Sequence, residues 1–446
     1  CFMDHDDYLE PHALWRVADA ILATEADFIH CDEVVTAQQN LDAVLQVQAR
    51  PAFSYDYYLC HPYLVHLVVV RRAVAETIGG IDEAMDISQD VDFNLRAFEV
   101  AQKIAHVPDV LYRWRKHACS AGHQRPHRFP DATSGALRRH LARLGFDADV
   151  RPGAQFNTFR VRFFPTTRER VAIIVLTKNR RDLLSRCILK DPATTEKGSF
   201  DLVVVDHESD DPETQAYLAA LGKGCTVLRC SGEFNFSRLN NFAVARIGAK
   251  YDYLLFMNND IEAVEPGWFE AMLDLAKRAD VGVVGATLLF PDRTVQHAGV
   301  VIGIEGRAEH AFKFAKFFSG NKRVVGRDCS LVATRDYSAV TAACMLMRSR
   351  VFAEVGGFDE SLAVGFNDTD LCLRVVRRGY KVLNHAHAVL VHHESATRGR
   401  STSDPHPEDT ALFLSRYRGL IEAGDPYYSP LLSTADPRFR LRKNAR

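Results

Sequence analysis

The sequence predicts an α/β protein organised on a Rossmann-like, mostly parallel sheet, and three features of the 446-residue chain carry that expectation. VAIIVLT (171–177) and FDLVVVD (200–206) are short, β-branched and almost wholly apolar, as strands buried on both faces of a parallel sheet must be. Helix-like stretches, RDLLSRCIL and ETQAYLAAL, separate these runs from CTVLR and YDYLLFM. Alternation of this kind builds an α/β sheet whose ligands bind beyond the carboxyl ends of the strands. Third, the chain repeats itself in blocks that keep one order.

The first block pairs FMDHDDYLEPHALWRVADAI with LFMNNDIEAVEPGWFEAMLDLA. Each is an apolar strand end, a carboxylate-bearing turn and a Glu-Pro pair opening a helix, where proline is tolerated. Leu14, Val17, Ala18 and Ile21 recur at i, i+3, i+4 and i+7, as do Phe269, Met272, Leu273 and Ala276. Both helices are expected to bury that face. In the second block a short helix ends in Gly-Gly (Gly79 and Gly80; Gly356 and Gly357), and about ten residues on an Asp opens an amphipathic helix. In the third, His117 precedes Ser120 as His392 precedes Ser395.

These blocks divide the chain into residues 1–125, the C-terminal portion of a first domain, and residues 170–446, a complete second one. A connector, 126–169, holds a basic helix (LRRHLARLG) and an alternating strand pair (FNTFRVRFF). The first copy has no counterpart of the strands at 171–206, and the chain starts at Cys1 inside CFMDHDD, so a missing upstream portion is expected.

Composition bounds the function. With 47% hydrophobic and 25% charged residues the chain is globular. A net charge of -2 and a pI near 6.9 give no overall field for nucleic acid or an anionic membrane. The ten cysteines show no CxxC pair, the pattern of reduced, structural thiols. No apolar run approaches the roughly 18 to 20 residues of a membrane span, and no signal-peptide pattern opens the chain. A cytoplasmic protein is expected.

Polar residues gather at the predicted strand ends: Thr177, Lys178 and Asn179; Asp206, Glu208 and Ser209; Asn258, Asn259 and Asp260. Such groups can hydrogen-bond a base or ribose, and a carboxylate can hold a hard cation that bridges phosphate oxygens. Each could equally cap a loop; their recurrence at successive strand ends favours a site.

In VAIIVLTKNR, VVVDHESDDPET, FNFSRLNN, FMNNDIE, QHAGVVIG, SAVTAACMLMR, GGFDE, FNDTDLCLR, VHHESA and DPYYSP, the second copy resembles the inverting nucleotide-sugar glycosyltransferases of the GT-A fold, family 2. The resemblance implies a GT-A domain preceded by a second, N-terminally truncated GT-A-like domain. It implies transfer of a sugar from a UDP-, GDP- or dTDP-sugar to a saccharide or lipid-linked saccharide acceptor. The tandem relatives place such transfer in bacterial surface polysaccharide synthesis, O-antigen or capsule. Thr177, Asn179, Asp206, Arg238, Asn241, Asn258 and Asn259 would contact the donor.

By the same resemblance Asp260 is the metal ligand, the one carboxylate left of an Asp-X-Asp element, and His392 adds a nitrogen that suits Mn²⁺ better than Mg²⁺. His393 is its rival. Asp368 would be the general base that takes the acceptor's proton, since an aspartate of ordinary pKa, about 4, is ionised at neutral pH. Helix capping is the other reading of Asp368, and Asp370 the alternative base. Residues Glu305 to Arg327 could form a lid. In the first copy Asp4 and Asp6, beside Asp7, take the metal position, Asp90 that of the base and His117 that of the added ligand.

Two rival functions stand beside this one. The first copy could be a non-catalytic scaffold or carbohydrate-binding module. The protein could also be a sugar nucleotidyltransferase, although that chemistry calls for a Gly-rich loop after the first strand and LTKNRRDLL has no glycine. Membrane contact is left to the acceptor or to other proteins.

Overall fold

A computed structural model describes all residues except 117–127, 154, 165–168, 190–199, 222–224, 265, 394–403 and 444–446. The main sheet lies in the C-terminal repeat. Strands Cys225–Arg229, Phe200–Asp206, Val171–Thr177 and Tyr253–Asn258 run parallel in that spatial order. Strand Cys344–Arg348 then runs antiparallel to both Tyr253–Asn258 and Val281–Leu289, and Val281–Leu289 pairs in parallel with Lys381–His392. The apolar runs read from the sequence are the buried centre: Val171, Ala172, Ile174, Val175, Val203, Val204 and Val205 are fully covered. Strands buried on both faces favour apolar side chains.

The N-terminal repeat reproduces the second half of this arrangement. Strand Phe28–Ala37 pairs antiparallel with Val68–Val70 and parallel with Ile104–Lys116, as Val281–Leu289 does with its two neighbours. The register slips at the same place in both parallel pairs, between Cys31 and Asp32 and between Ala286 and Thr287. The Gly-Gly turns match as well, with Gly79, Gly80, Gly356 and Gly357 all at φ between 71° and 81°. Glycine reaches that left-handed region without a Cβ penalty, so it ends the preceding helix cheaply. Asp92 clamps Arg96 at 2.7 Å, and Asp370 clamps Arg374 at 2.8 Å, on equivalent helices.

The helices after the acidic turns differ. Helix Trp268–Ala276 buries Phe269, Met272, Leu273 and Ala276 as expected. Helix Ala13–Thr24 does not follow the expected face: it buries Ala13 and Val17, while Leu14 is 64% and Ile21 40% exposed. The physical reason is what packs on each. Helix Trp268–Ala276 lies on strands Val281–Leu289, Lys381–His392 and Cys344–Arg348 and also meets the connector strand Phe159–Phe163, whereas helix Ala13–Thr24 packs chiefly on strand Ile104–Lys116.

The repeats meet through charge as well as apolar surface. Asp56, 3% exposed, accepts from both terminal nitrogens of Arg278 and from Lys381 Nζ at 3.1 Å. Ser54 Oγ donates to Asp336 Oδ2 at 2.5 Å. Removing one member of such a buried set strands the other charges, at a cost of about 3–5 kcal/mol.

Candidate active site

The site opens beyond the carboxyl ends of the parallel strands, where strand direction delivers backbone and side-chain polar groups to one rim. A cavity of about 570 Å³ there is lined by Thr177, Lys178, Asn258, Asn259, Asp260, Asp368 and His392. Arg307, Glu309 and His310 line it as well, with Asp404 and His406. The predicted lid thus contributes residues 307–310 to the wall.

Asp260 and His392 are brought together by pairing. Strand Ile261–Ala263 runs antiparallel to the end of Lys381–His392, with Ile261 opposite His392, and His393 N–H donates to the Asp260 carbonyl at 2.9 Å. His392 Nε2 then lies 3.1 Å from Asp260 Oδ1 and 3.2 Å from the Asn258 amide nitrogen. Burial alone would raise the Asp260 carboxyl, but the adjacent His392 outweighs it and the net shift is downward. Asn259 donates to Thr177 Oγ1 at 3.2 Å, locking its turn onto the first strand. His393 faces Glu262 at 2.9 Å, outside this pair.

Asp368 sits across the cavity in the first turn of helix Asn367–Arg377, whose N-cap is Phe366. It is therefore not the capping residue. Its Oδ2 accepts from Ala342 N–H at 3.0 Å and its Oδ1 from Thr369 N–H at 2.7 Å. Oδ1 also accepts from the Thr369 hydroxyl at 3.3 Å, so the remaining lone pair of Oδ2 is the one that can receive an acceptor hydroxyl from the cavity. Asp370, 2% exposed, is consumed by Arg374, Arg416 and Tyr417 and is a structural group.

Four predicted donor contacts stand outside the cavity lining. Asn179 bridges Asp210 and Asp211, donating to Asp210 Oδ1 at 2.7 Å and accepting both backbone N–H groups at 3.0 Å. Asp206 accepts from Ser209 N–H at 3.1 Å. Arg238 donates to the Glu233 carbonyl at 2.7 Å and the Ser231 carbonyl at 3.2 Å. Asn241 is spent on Phe358 and Glu360. All four stiffen loops around the site: Asn179, Asp206 and Asn241 because short polar side chains at strand and helix ends satisfy local backbone groups first, and Arg238 through its guanidinium on two loop carbonyls.

In the N-terminal repeat, Asp4, Asp7 and His66 bring ligand atoms within 4.8 Å of one another. Asp6, expected to share the metal position with Asp4, is not in that group, because the turn aims the neighbouring Asp7 inward to the Tyr112 hydroxyl at 2.6 Å and Arg115 N–H at 2.7 Å. His66 is held by Glu33 at 3.2 Å. Asp90 lies in the first turn of the matching helix. His117 lies outside the described residues.

Sequence reading missed Gln296 and His66. Gln296, 1% exposed, accepts from His392 Nδ1 at 2.7 Å. It stood in the QHAGVVIG block with no signal beyond its polarity in an apolar run. His66 lay in a stretch that no repeat block covered.

Residues 172–355, within the C-terminal repeat, match the family model Glycosyl transferase family 2. The O-antigen biosynthesis protein RfbC of Myxococcus xanthus is 36% identical over 459 residues, covering 99% of this chain but 34% of its own length. The N-acetylglucosaminyl-diphospho-decaprenol L-rhamnosyltransferase of Mycobacterium tuberculosis is 26% identical over 179 residues, 39% of this chain and 58% of that protein. A mannosyltransferase from Pyrobaculum calidifontis, solved with GDP-Man and Mn²⁺, aligns with TM-score 0.40 and 16% identity over 60% of this chain and 68% of its own. Among the described residues no helix is long and apolar enough to cross a membrane.

Proposed function

We propose that the C-terminal repeat is a metal-dependent, inverting glycosyltransferase that moves a sugar from a nucleotide-diphosphate donor to a saccharide acceptor in bacterial surface polysaccharide synthesis. The observation that carries it is the convergence of Asp260, His392 and Asp368 on one 570 Å³ cavity at the strand ends. A carboxylate oxygen and an imidazole nitrogen 3.1 Å apart form an O,N donor set suited to a cation such as Mn²⁺. When bound, that ion neutralises charge growing on the departing diphosphate.

The chain's own groups do the rest. Lys178 and Arg307 line the same cavity and supply positive charge where the diphosphate would lie. Asp368 accepts the proton of the attacking hydroxyl, while the Ala342 and Thr369 amides hold its carboxylate in place. The surface-polysaccharide setting is supported by the relative named for O-antigen biosynthesis, of which this chain spans about a third. A cytoplasmic location, facing a membrane-held acceptor, belongs to the same proposal.

The division into a first domain at 1–125, a connector and a second domain at 170–446 is likewise proposed, supported by the repeated strand pairings. For the first domain the Asp4, Asp7 and His66 group, with Asp90 in the first turn of the matching helix, favours a related site; among the described residues of 1–125 there is no counterpart of the parallel strands Val171–Thr177 and Phe200–Asp206. A donor-hydrolysis screen over UDP-, GDP- and dTDP-sugars with Mn²⁺ tests the proposal. One donor should be cleaved in a metal-dependent way that Asp260→Ala removes, and cleavage that survives chelation would refute the metal role.

A further inference from the structure

His392 is a two-ended group, and its two ends face different chemistry. Nδ1 meets the Gln296 amide oxygen at 2.7 Å, and Gln296 and His392 are 1% and 7% exposed, so solvent offers no substitute. An amide oxygen only accepts, so Nδ1 must carry a hydrogen. The exchangeable position is then Nε2, which faces Asp260 Oδ1 at 3.1 Å and receives the Asn258 amide N–H at 3.2 Å. An unprotonated Nε2 opposite a carboxylate sets two lone-pair donors against one gap, which a proton or a cation fills.

We propose that Gln296 is a positioning residue that fixes His392 in the Nδ1–H tautomer, turning Nε2 into the cation-binding nitrogen shared with Asp260. The inference rests on the metal-dependent reading above. Gln296 occupies strand Val295–His297, which pairs with Val281–Leu289 beside the His392 strand. Its backbone carbonyl also accepts from His310 Nδ1 at 3.2 Å, and His310 is a wall residue of the cavity. One residue thereby sets the ring orientation of His392 and holds a second histidine of the cavity lining. Outer partners that orient a ligating histidine typically change metal affinity by about 10–100-fold when lost.

The test compares wild type, Gln296→Met and Gln296→Glu. Mn²⁺ affinity is read by electron paramagnetic resonance with and without nucleoside diphosphate, and the His392 tautomer by long-range ¹H–¹⁵N correlation in metal-free protein, assigned with His392→Ala. The expected result is a hydrogen retained on Nδ1 of wild-type His392, whether or not Nε2 also carries a proton, a loss of about 10–100-fold in Mn²⁺ affinity for Gln296→Met, and near-wild-type affinity for Gln296→Glu, which keeps an acceptor oxygen. Equal affinity of wild type and Gln296→Met overturns the inference alone. Absence of Mn²⁺ binding in wild type overturns the metal reading and the inference with it. If Gln296→Met does not fold, a neutral His392 carrying its hydrogen on Nε2 in wild type is sufficient refutation.

Discussion

The two repeats carry the same turn, helix and strand pairings, yet their acidic turns are furnished differently. In the C-terminal repeat Asp260 stands with His392 and two asparagines, under a cavity bounded by the parallel strands. In the N-terminal repeat Asp4 and Asp7 stand with His66, a richer acidic set without those strands in this chain. Their helices diverge in parallel: Met272 is fully buried where Leu14 and Leu22 are 64% and 83% exposed. The lesson is that a repeat preserves local geometry, whereas chemistry and burial depend on what packs outside it.

The comparison breaks most easily at the two base positions. Asp368→Asn is expected to lower kcat/KM by about 10²- to 10⁴-fold, the usual worth of a general base, with nucleotide binding retained. Asp90→Asn should leave the same steady-state rate unchanged. Comparable losses in both variants would mean that both repeats serve one reaction.

Next is the junction. Asp56→Ala should cost about 3–5 kcal/mol in urea unfolding, because Arg278 and Lys381 stay buried without their shared carboxylate. Trp268 in one repeat and Trp114 in the other can report separately. A loss seen by Trp114 alone would show that the repeats unfold independently. On the paired helices, Met272→Ala should cost about 2–5 kcal/mol as a buried large-to-small change, and Leu22→Ala should stay within about 0.5 kcal/mol. Equal costs would contradict the difference in covering.

The smallest expected effect concerns acid. Burial would raise the Asp280 carboxyl, but Arg278 and Lys381 override it and hold it at about 2, below its ordinary 3.8. The folded state therefore binds fewer protons than the unfolded chain between those values. This contribution is present above about pH 4 and is lost as pH falls toward 2; Asp280→Asn should flatten that limb in pH-dependent urea midpoints.

Much of this was legible in the residues. The parallel strands announced themselves because burial on both faces favours apolar side chains, and Asp260, Asp368 and His392 stood at strand and helix ends that topology gathers. Three things were not legible. The covering of helix Trp268–Ala276 comes from three strands that follow it in the chain and from a connector strand about a hundred residues upstream, so periodicity could not separate it from helix Ala13–Thr24. Asn179, Arg238 and Asn241 have residue types that suit a ligand and a loop staple equally well, and only their partners decide. Gln296 and His66 become functional candidates through cross-strand neighbours that no local pattern encodes.

The central claim, that one repeat alone forms the nucleotide-sugar site, is tested most directly by calorimetric titration of the chain with Mn²⁺ and UDP, GDP and dTDP in turn. One nucleotide should bind at one site per chain, and Asp260→Ala should abolish that binding while Asp4→Ala leaves it intact. Two sites per chain, or binding lost through Asp4 and kept without Asp260, would contradict the account.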